Sequence, residues 1–99
     1  MKKALYEIPG TVAYALTKNM HKINASATNL HNLRETVKGI LTDPTNEIKD
    51  QKEVDLLIKG MGQMRNLNHL LSSIGTWMTG MKTIQVGTQF GRSASGKRD

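Results

Sequence analysis

Residues 16–41 are LTKNMHKINASATNLHNLRETVKGIL, and this stretch constrains the fold more than any other part of the chain. Apolar side chains recur in it in alternating steps of four and three, interrupted only by Arg34. They are Leu16, Met20, Ile23, Ala27, Leu30, Val37 and Leu41. A 3.5-residue period is typical of a helix that packs lengthwise against a partner helix. It predicts one long helix over about 11–41, with Thr11 as its N-cap.

The segment Thr42-Asp43-Pro44 predicts the end of this helix and the start of a second one. Asp43 is a suitable N-cap, and a proline is tolerated at the first helical position because its missing N–H has no partner there. Apolar residues then continue with helical spacing to about residue 81. The sequence therefore predicts an all-α fold, a long antiparallel helical hairpin with helices at about 11–41 and 44–81. Gly60 and Gly62 indicate a kink or a close approach within the second helix.

Both ends of the chain are predicted to be extended. Apolar and polar residues alternate in the N-terminal arm, Lys3–Ile8, before Pro9 and Gly10 end it, and again in the C-terminal segment Thr83–Phe90, which predicts a strand. Residues 91–99 are rich in Gly, Ser and basic side chains, a composition typical of a flexible tail. We predict one helical domain over 1–90, followed by a basic tail over 91–99.

The composition favours self-association in a reducing setting. The chain has 99 residues, no cysteine and four aromatic side chains, so its core must be built from Leu, Ile, Val and Met, without disulfides. Small scaffolds often gain stability by oligomerising, and we expect an oligomeric bundle.

Glu7 and Pro9 interrupt the apolar run that a signal peptide needs, and no stretch is apolar enough to span a membrane. These features predict a cytoplasmic or virion location.

No residue pattern in the sequence predicts catalysis, a cofactor or a metal site. Residues 91–98, GRSASGKR, resemble the phosphate-binding loop pattern G-x-x-x-x-G-K-[ST], but Arg98 replaces the Ser or Thr that would hold Mg²⁺. His21 and His31 are ten residues apart and do not share a helix face. The sequence also lacks a serine or cysteine triad pattern. We therefore expect a protein that is not an enzyme.

The formal net charge is +6, and the positive charge concentrates toward the two ends. If a hairpin brings these ends together, they form one basic pole able to contact phosphates. The candidate phosphate contacts are Lys2, Lys3, Lys18, Lys22, Arg92, Lys97 and Arg98. The alternative explanation of this charge is a solvated surface that aids solubility.

The leading functional prediction is a non-enzymatic assembly or adaptor protein, such as a phage virion component, that binds itself and a larger protein assembly. Its predicted self-association seam is Leu16, Met20, Ile23, Leu30, Val37, Leu41, Leu57, Met61, Met64 and Leu71. Its predicted partner anchors are Tyr6, Trp77 and Phe90, because aromatic side chains often dominate interfaces. Two alternatives stay open: a small basic nucleic-acid-binding protein, and a small inhibitor or nucleotide sponge.

Overall fold

The computed structural model describes residues 4–79. This part of the chain is all-helical and compact, with no strand, which confirms the predicted all-α class. The five helices are α1 (Val12–Lys18), α2 (Met20–Ser26), α3 (Leu30–Thr42), α4 (Gln51–Gln63) and α5 (Leu67–Met78). Two 3₁₀ turns, Leu5–Glu7 and Pro44–Asn46, precede α1 and α4.

The predicted first helix is divided into α1, α2 and α3, so the prediction of one long helix over 11–41 is wrong. The breaks coincide with asparagine side chains that bond to the main chain. Asn19 donates through Nδ2 to the carbonyl of Ala15 at 2.8 Å, which helps to end α1. Asn29 accepts the N–H of Asn32 at 2.8 Å and caps the start of α3. Such local bonds compete with a continuous helix.

The predicted second helix over 44–81 is also divided. Asp43 caps a 3₁₀ turn that begins at Pro44, and the α-helix α4 begins only after Asp50, whose carboxylate accepts the N–H of Glu53 at 3.1 Å. After α4, residues 64–66 form a corner, and Asn66 caps α5. The described part of the chain measures 34 × 30 × 22 Å, so the long hairpin is replaced by a bundle of short helices.

The N-terminal arm is not extended as predicted, because Leu5–Glu7 form a 3₁₀ turn. The predicted cap at Thr11 is confirmed: its hydroxyl oxygen accepts the N–H of Tyr14 at 3.0 Å. The same hydroxyl lies 2.8 Å from the carbonyl of Leu5, so it links the first turn to α1. The predicted strand over 83–90 and the tail over 91–99 lie outside the described residues.

One apolar core joins the helices. Helix α1 packs on α5 and α3, and α3 also packs on α2, α4 and α5. The largest side chains that are almost fully buried include Trp77, Leu16, Ile23, Leu33, Leu57 and Met61. Met and aliphatic residues form most of this core, as the composition predicts, and Trp77 is the aromatic side chain within it.

Candidate functional site

The predicted self-association seam lies mostly inside the core of the single chain. Seven of its ten residues are buried: Leu16, Ile23, Val37, Leu41, Leu57, Met61 and Met64. Their packing partners in this structure are other helices of the same chain. Met20 is exposed, whereas Leu30 and Leu71 are half-buried against the core. The seam residues therefore leave only these three side chains available to a second copy.

The three predicted partner anchors have different positions. Tyr6 is 45% exposed on the first 3₁₀ turn. Trp77 is 1% exposed and belongs to the core. Phe90 lies outside the described residues. Tyr6 is therefore the anchor that the described surface offers to a partner.

Two of the predicted phosphate contacts, Lys18 and Lys22, fall within the described residues, and both are exposed. Lys18 places its Nζ 5.4 Å from the centre of the Tyr14 ring. Both lysines lie near Asp43, whose pKa is lowered chiefly by hydrogen bonds from Thr45 and further by these two positive charges. The other five predicted contacts, Lys2, Lys3, Arg92, Lys97 and Arg98, lie outside the described residues.

The excess positive charge belongs almost entirely to the two ends of the chain. Residues 4–79 contain eight Lys or Arg and seven Asp or Glu, a formal charge of +1, whereas the whole chain carries +6. The described body is therefore close to neutral. Any electrostatic attraction to phosphate depends mainly on residues 1–3 and 80–99.

A cleft of about 310 Å³ opens between the N-terminal turn, the start of α4 and the end of α5. Its lining is Leu5, Ile8, Pro9, Gly10, Thr11, Val12, Ala13, Lys49, Asp50, Glu53 and Trp77. Apolar side chains supply most of the lining, and the charged residues come from the start of α4. This combination of an apolar cavity with a few polar groups is typical of binding sites.

The wall of the cleft is held by a contact between Gly10 and Lys49. The Lys49 N–H donates to the carbonyl of Gly10 at 2.9 Å. Gly10 has a φ of +90°, and a Cβ atom there would lie 2.9 Å from Cε of Lys49. The backbone conformation therefore favours glycine at this position, and any larger residue would also have to displace the flexible lysine stem.

A second surface lies on α5, beside the stripe of this helix that is buried in the core. It consists of Leu67, Leu71, Gly75 and Met78, whose spacing of four, four and three places them on one side of the helix. We call these four residues the outer face of α5. All four are half-buried. A Cβ atom built on Gly75 meets nothing within 4 Å. No residue of α5 is Asp, Glu, Lys or Arg, whereas α3 and α4 each contain several.

These two surfaces were not predicted from the sequence. The signal for the outer face of α5 was present, because residues 67–81 are the least polar stretch of the chain. The sequence contains no comparable signal for the cleft, because its walls come from three segments that are far apart along the chain.

Within residues 4–79, no group of His, Asp and Glu is arranged to hold a metal ion. Among the described helices, none combines the length and the apolar character that a membrane span requires.

No known protein family matches this sequence, and no curated protein or solved structure is significantly similar to it.

Proposed function

We propose that this protein is a non-enzymatic assembly or adaptor protein that self-associates through the outer face of α5. The observation that carries the proposal is the absence of charged side chains from α5, although much of this helix reaches the surface. Fully buried interface cores are depleted of charged residues because desolvating a charge is costly. A surface helix without charge is therefore suited to being covered by another protein.

The geometry of the outer face fits a helix from a second copy. Leu67, Leu71 and Met78 offer apolar area, and Gly75 leaves room for a close approach of a neighbouring helix. In a two-fold dimer the same face serves both partners, so an uncharged surface meets no like-charge repulsion. We expect the same association to operate within a larger assembly, for example a phage virion.

The size of α5 sets an upper limit on the strength of this contact. Its 12 residues span about 18 Å at 1.5 Å per residue. Stable complexes bury about 800 Å² on each partner, and one helix of this length supplies only a fraction of that area. We therefore expect weak association that depends on protein concentration.

The test is the molar mass of the full chain, measured by light scattering over a wide range of concentration. We expect the mass to rise from the monomer value of 11.0 kDa toward twice that value. Gly75→Lys should keep the protein monomeric, because it places a charge on the outer face. Gly39→Lys on α3 is the matched control, since a Cβ atom at either glycine meets nothing within 4 Å.

A wild-type mass that stays at the monomer value at every concentration would contradict the proposal. The same is true if Gly39→Lys and Gly75→Lys reduce the mass equally, since the effect would then not be specific to α5. Both substitutions replace a helical glycine with a better helix former, so neither is expected to unfold the chain.

A second candidate function, nucleic-acid binding, is supported by where the ends of the described body lie. Leu5 and Trp77 both line the cleft, so the two basic ends of the chain are attached to the same side of the molecule. Neutralising phosphates with several Lys and Arg side chains gives affinity that falls steeply with salt. Replacing Arg92, Lys97 and Arg98 by Gln should then weaken binding to a DNA oligonucleotide more than replacing Lys18 and Lys22, because it removes three positive charges and not two.

A further inference from the structure

The cleft presents apolar surface that the rest of the described chain does not cover. Leu5 in its wall is 43% exposed, and Ile8 and Val12 add aliphatic surface beside it. Its volume of about 310 Å³ is at the lower end of the ~300–1,000 Å³ typical of ligand sites. The cleft is therefore large enough to receive a few side chains.

The chain itself continues from the edge of this cleft. Trp77 contributes to the lining, and α5 ends one residue later at Met78. Residues 80–99 thus begin within three positions of a residue that lines the cleft. A segment tethered a few residues from its site has an effective concentration on the order of millimolar, so even a weak affinity suffices for docking.

The sequence that follows suits the chemistry of the cleft. Residues 81–90 are MKTIQVGTQF, in which Ile84, Val86 and Phe90 are separated by uncharged residues and Lys82 is the single charge. The cleft offers apolar walls together with three charged residues beside the start of α4, Lys49, Asp50 and Glu53, whose formal net charge is −1. An apolar segment with one positive charge is complementary to that lining.

We propose that the cleft is the docking site for residues 81–90 of the same chain. The proposal is separate from self-association, because it concerns the side of the molecule formed by the N-terminal turn and α4, not the outer face of α5. Docking buries the apolar wall at Leu5.

The experiment is amide hydrogen exchange of the full chain, read by mass spectrometry on peptides that cover residues 5–13. The test variant carries Ile84→Asp and Val86→Asp. The matched control carries Ser93→Asp and Ser95→Asp, which make the same charge change nearby. We expect several-fold faster exchange of residues 5–13 in the test variant and no change in the control.

A second variant tests the proposal from the cleft side. Leu5→Asp changes an exposed side chain and should accelerate exchange of residues 81–90 several-fold without lowering the unfolding midpoint. Equal exchange in the wild type, the test variant and Leu5→Asp would overturn the proposal. It is also overturned if protection of residues 5–13 disappears on dilution, because the segment would then come from a second copy.

Discussion

The guanidinium of Arg34 on α3 donates a hydrogen bond through Nη2 to the main-chain carbonyl of Met64, which lies at the corner between α4 and α5. The two residues are 30 positions apart in sequence. Nε of Arg34 is buried and has no hydrogen-bond partner within residues 4–79. Arg34, which interrupts the apolar spacing of residues 16–41, therefore holds the corner at which the chain turns into α5.

Replacing Arg34 by Met should destabilise the fold, since the Met64 carbonyl loses its donor while the apolar part of the side chain is kept. Loss of a hydrogen bond to a charged group costs about 1.5–3 kcal/mol, and removing the unpartnered Nε offsets part of that cost. We expect the free energy of unfolding in urea to fall by about 1–2 kcal/mol. Arg65→Met, at an exposed neighbouring position, should change it by less than about 0.5 kcal/mol.

Gly10→Ala should also destabilise the fold, by about 1–2 kcal/mol, because an L-residue at this positive φ is strained. The stem of Lys49 can move away from the new methyl group, so the backbone strain dominates. Gly39→Ala is the matched control: it lies within α3 with open space around it and should raise stability by about 0.5–1 kcal/mol. Thermal unfolding of the two variants should shift in opposite directions, and a shift in the same direction would contradict this explanation.

Asn66→Ala should weaken the start of α5. The Asn66 side chain accepts the N–H groups of Asn68 at 2.8 Å and His69 at 3.2 Å, and loss of an N-cap costs about 1 kcal/mol. Chemical denaturation should show this loss. Asn24→Ala on the exposed side of α2 is the control, where alanine is the better helix former and no loss is expected.

The Asp43 carboxylate should titrate below its ordinary pKa of 3.8, because the hydroxyl and N–H of Thr45 donate to it and Lys22 and Lys18 lie nearby. A lowered pKa in the folded state stabilises the fold above the unfolded pKa, and this stabilisation is lost as the pH falls through the folded pKa. Thr45→Val should raise the pKa of Asp43 in an NMR titration. Thr76→Val, whose hydroxyl bonds within α5, should leave the titration unchanged.

The sequence predicted the helical class, but not the lengths of the helices. Periodicity placed Leu16, Ile23 and Val37 on one apolar side of a helix, which was interpreted as a self-association seam, and the structure buries this side within the single chain. It could not show whether the partner helix belongs to the same chain. The positions of the helix breaks depend on Asn19 and Asn29, whose side chains compete with the helix for main-chain hydrogen bonds. Both were recognisable as weak helix formers, yet their effect depends on tertiary packing of the short helices they create.

The cleft and the corner at Met64 depend on contacts between distant segments, which periodicity does not contain. In the sequence Arg34 is only an interruption of the apolar spacing, and nothing in that spacing predicts its hydrogen bond to the carbonyl of Met64. Asparagine is a common N-cap residue, so Asn66 could have indicated a helix start. The apolar spacing on both sides of it, however, also fits one uninterrupted helix over 44–81.

The position of Leu5 and Trp77 at one cleft also has a topological consequence. Because the described body begins and ends on the same side, a short linker could join its two ends, and new ends could be opened in the turn Pro44–Asn46, where Pro44 and Thr45 are exposed. We expect such a circular permutant to keep the five helices. For the same reason, the body could be inserted into a surface loop of a host protein without forcing the two ends of that loop apart.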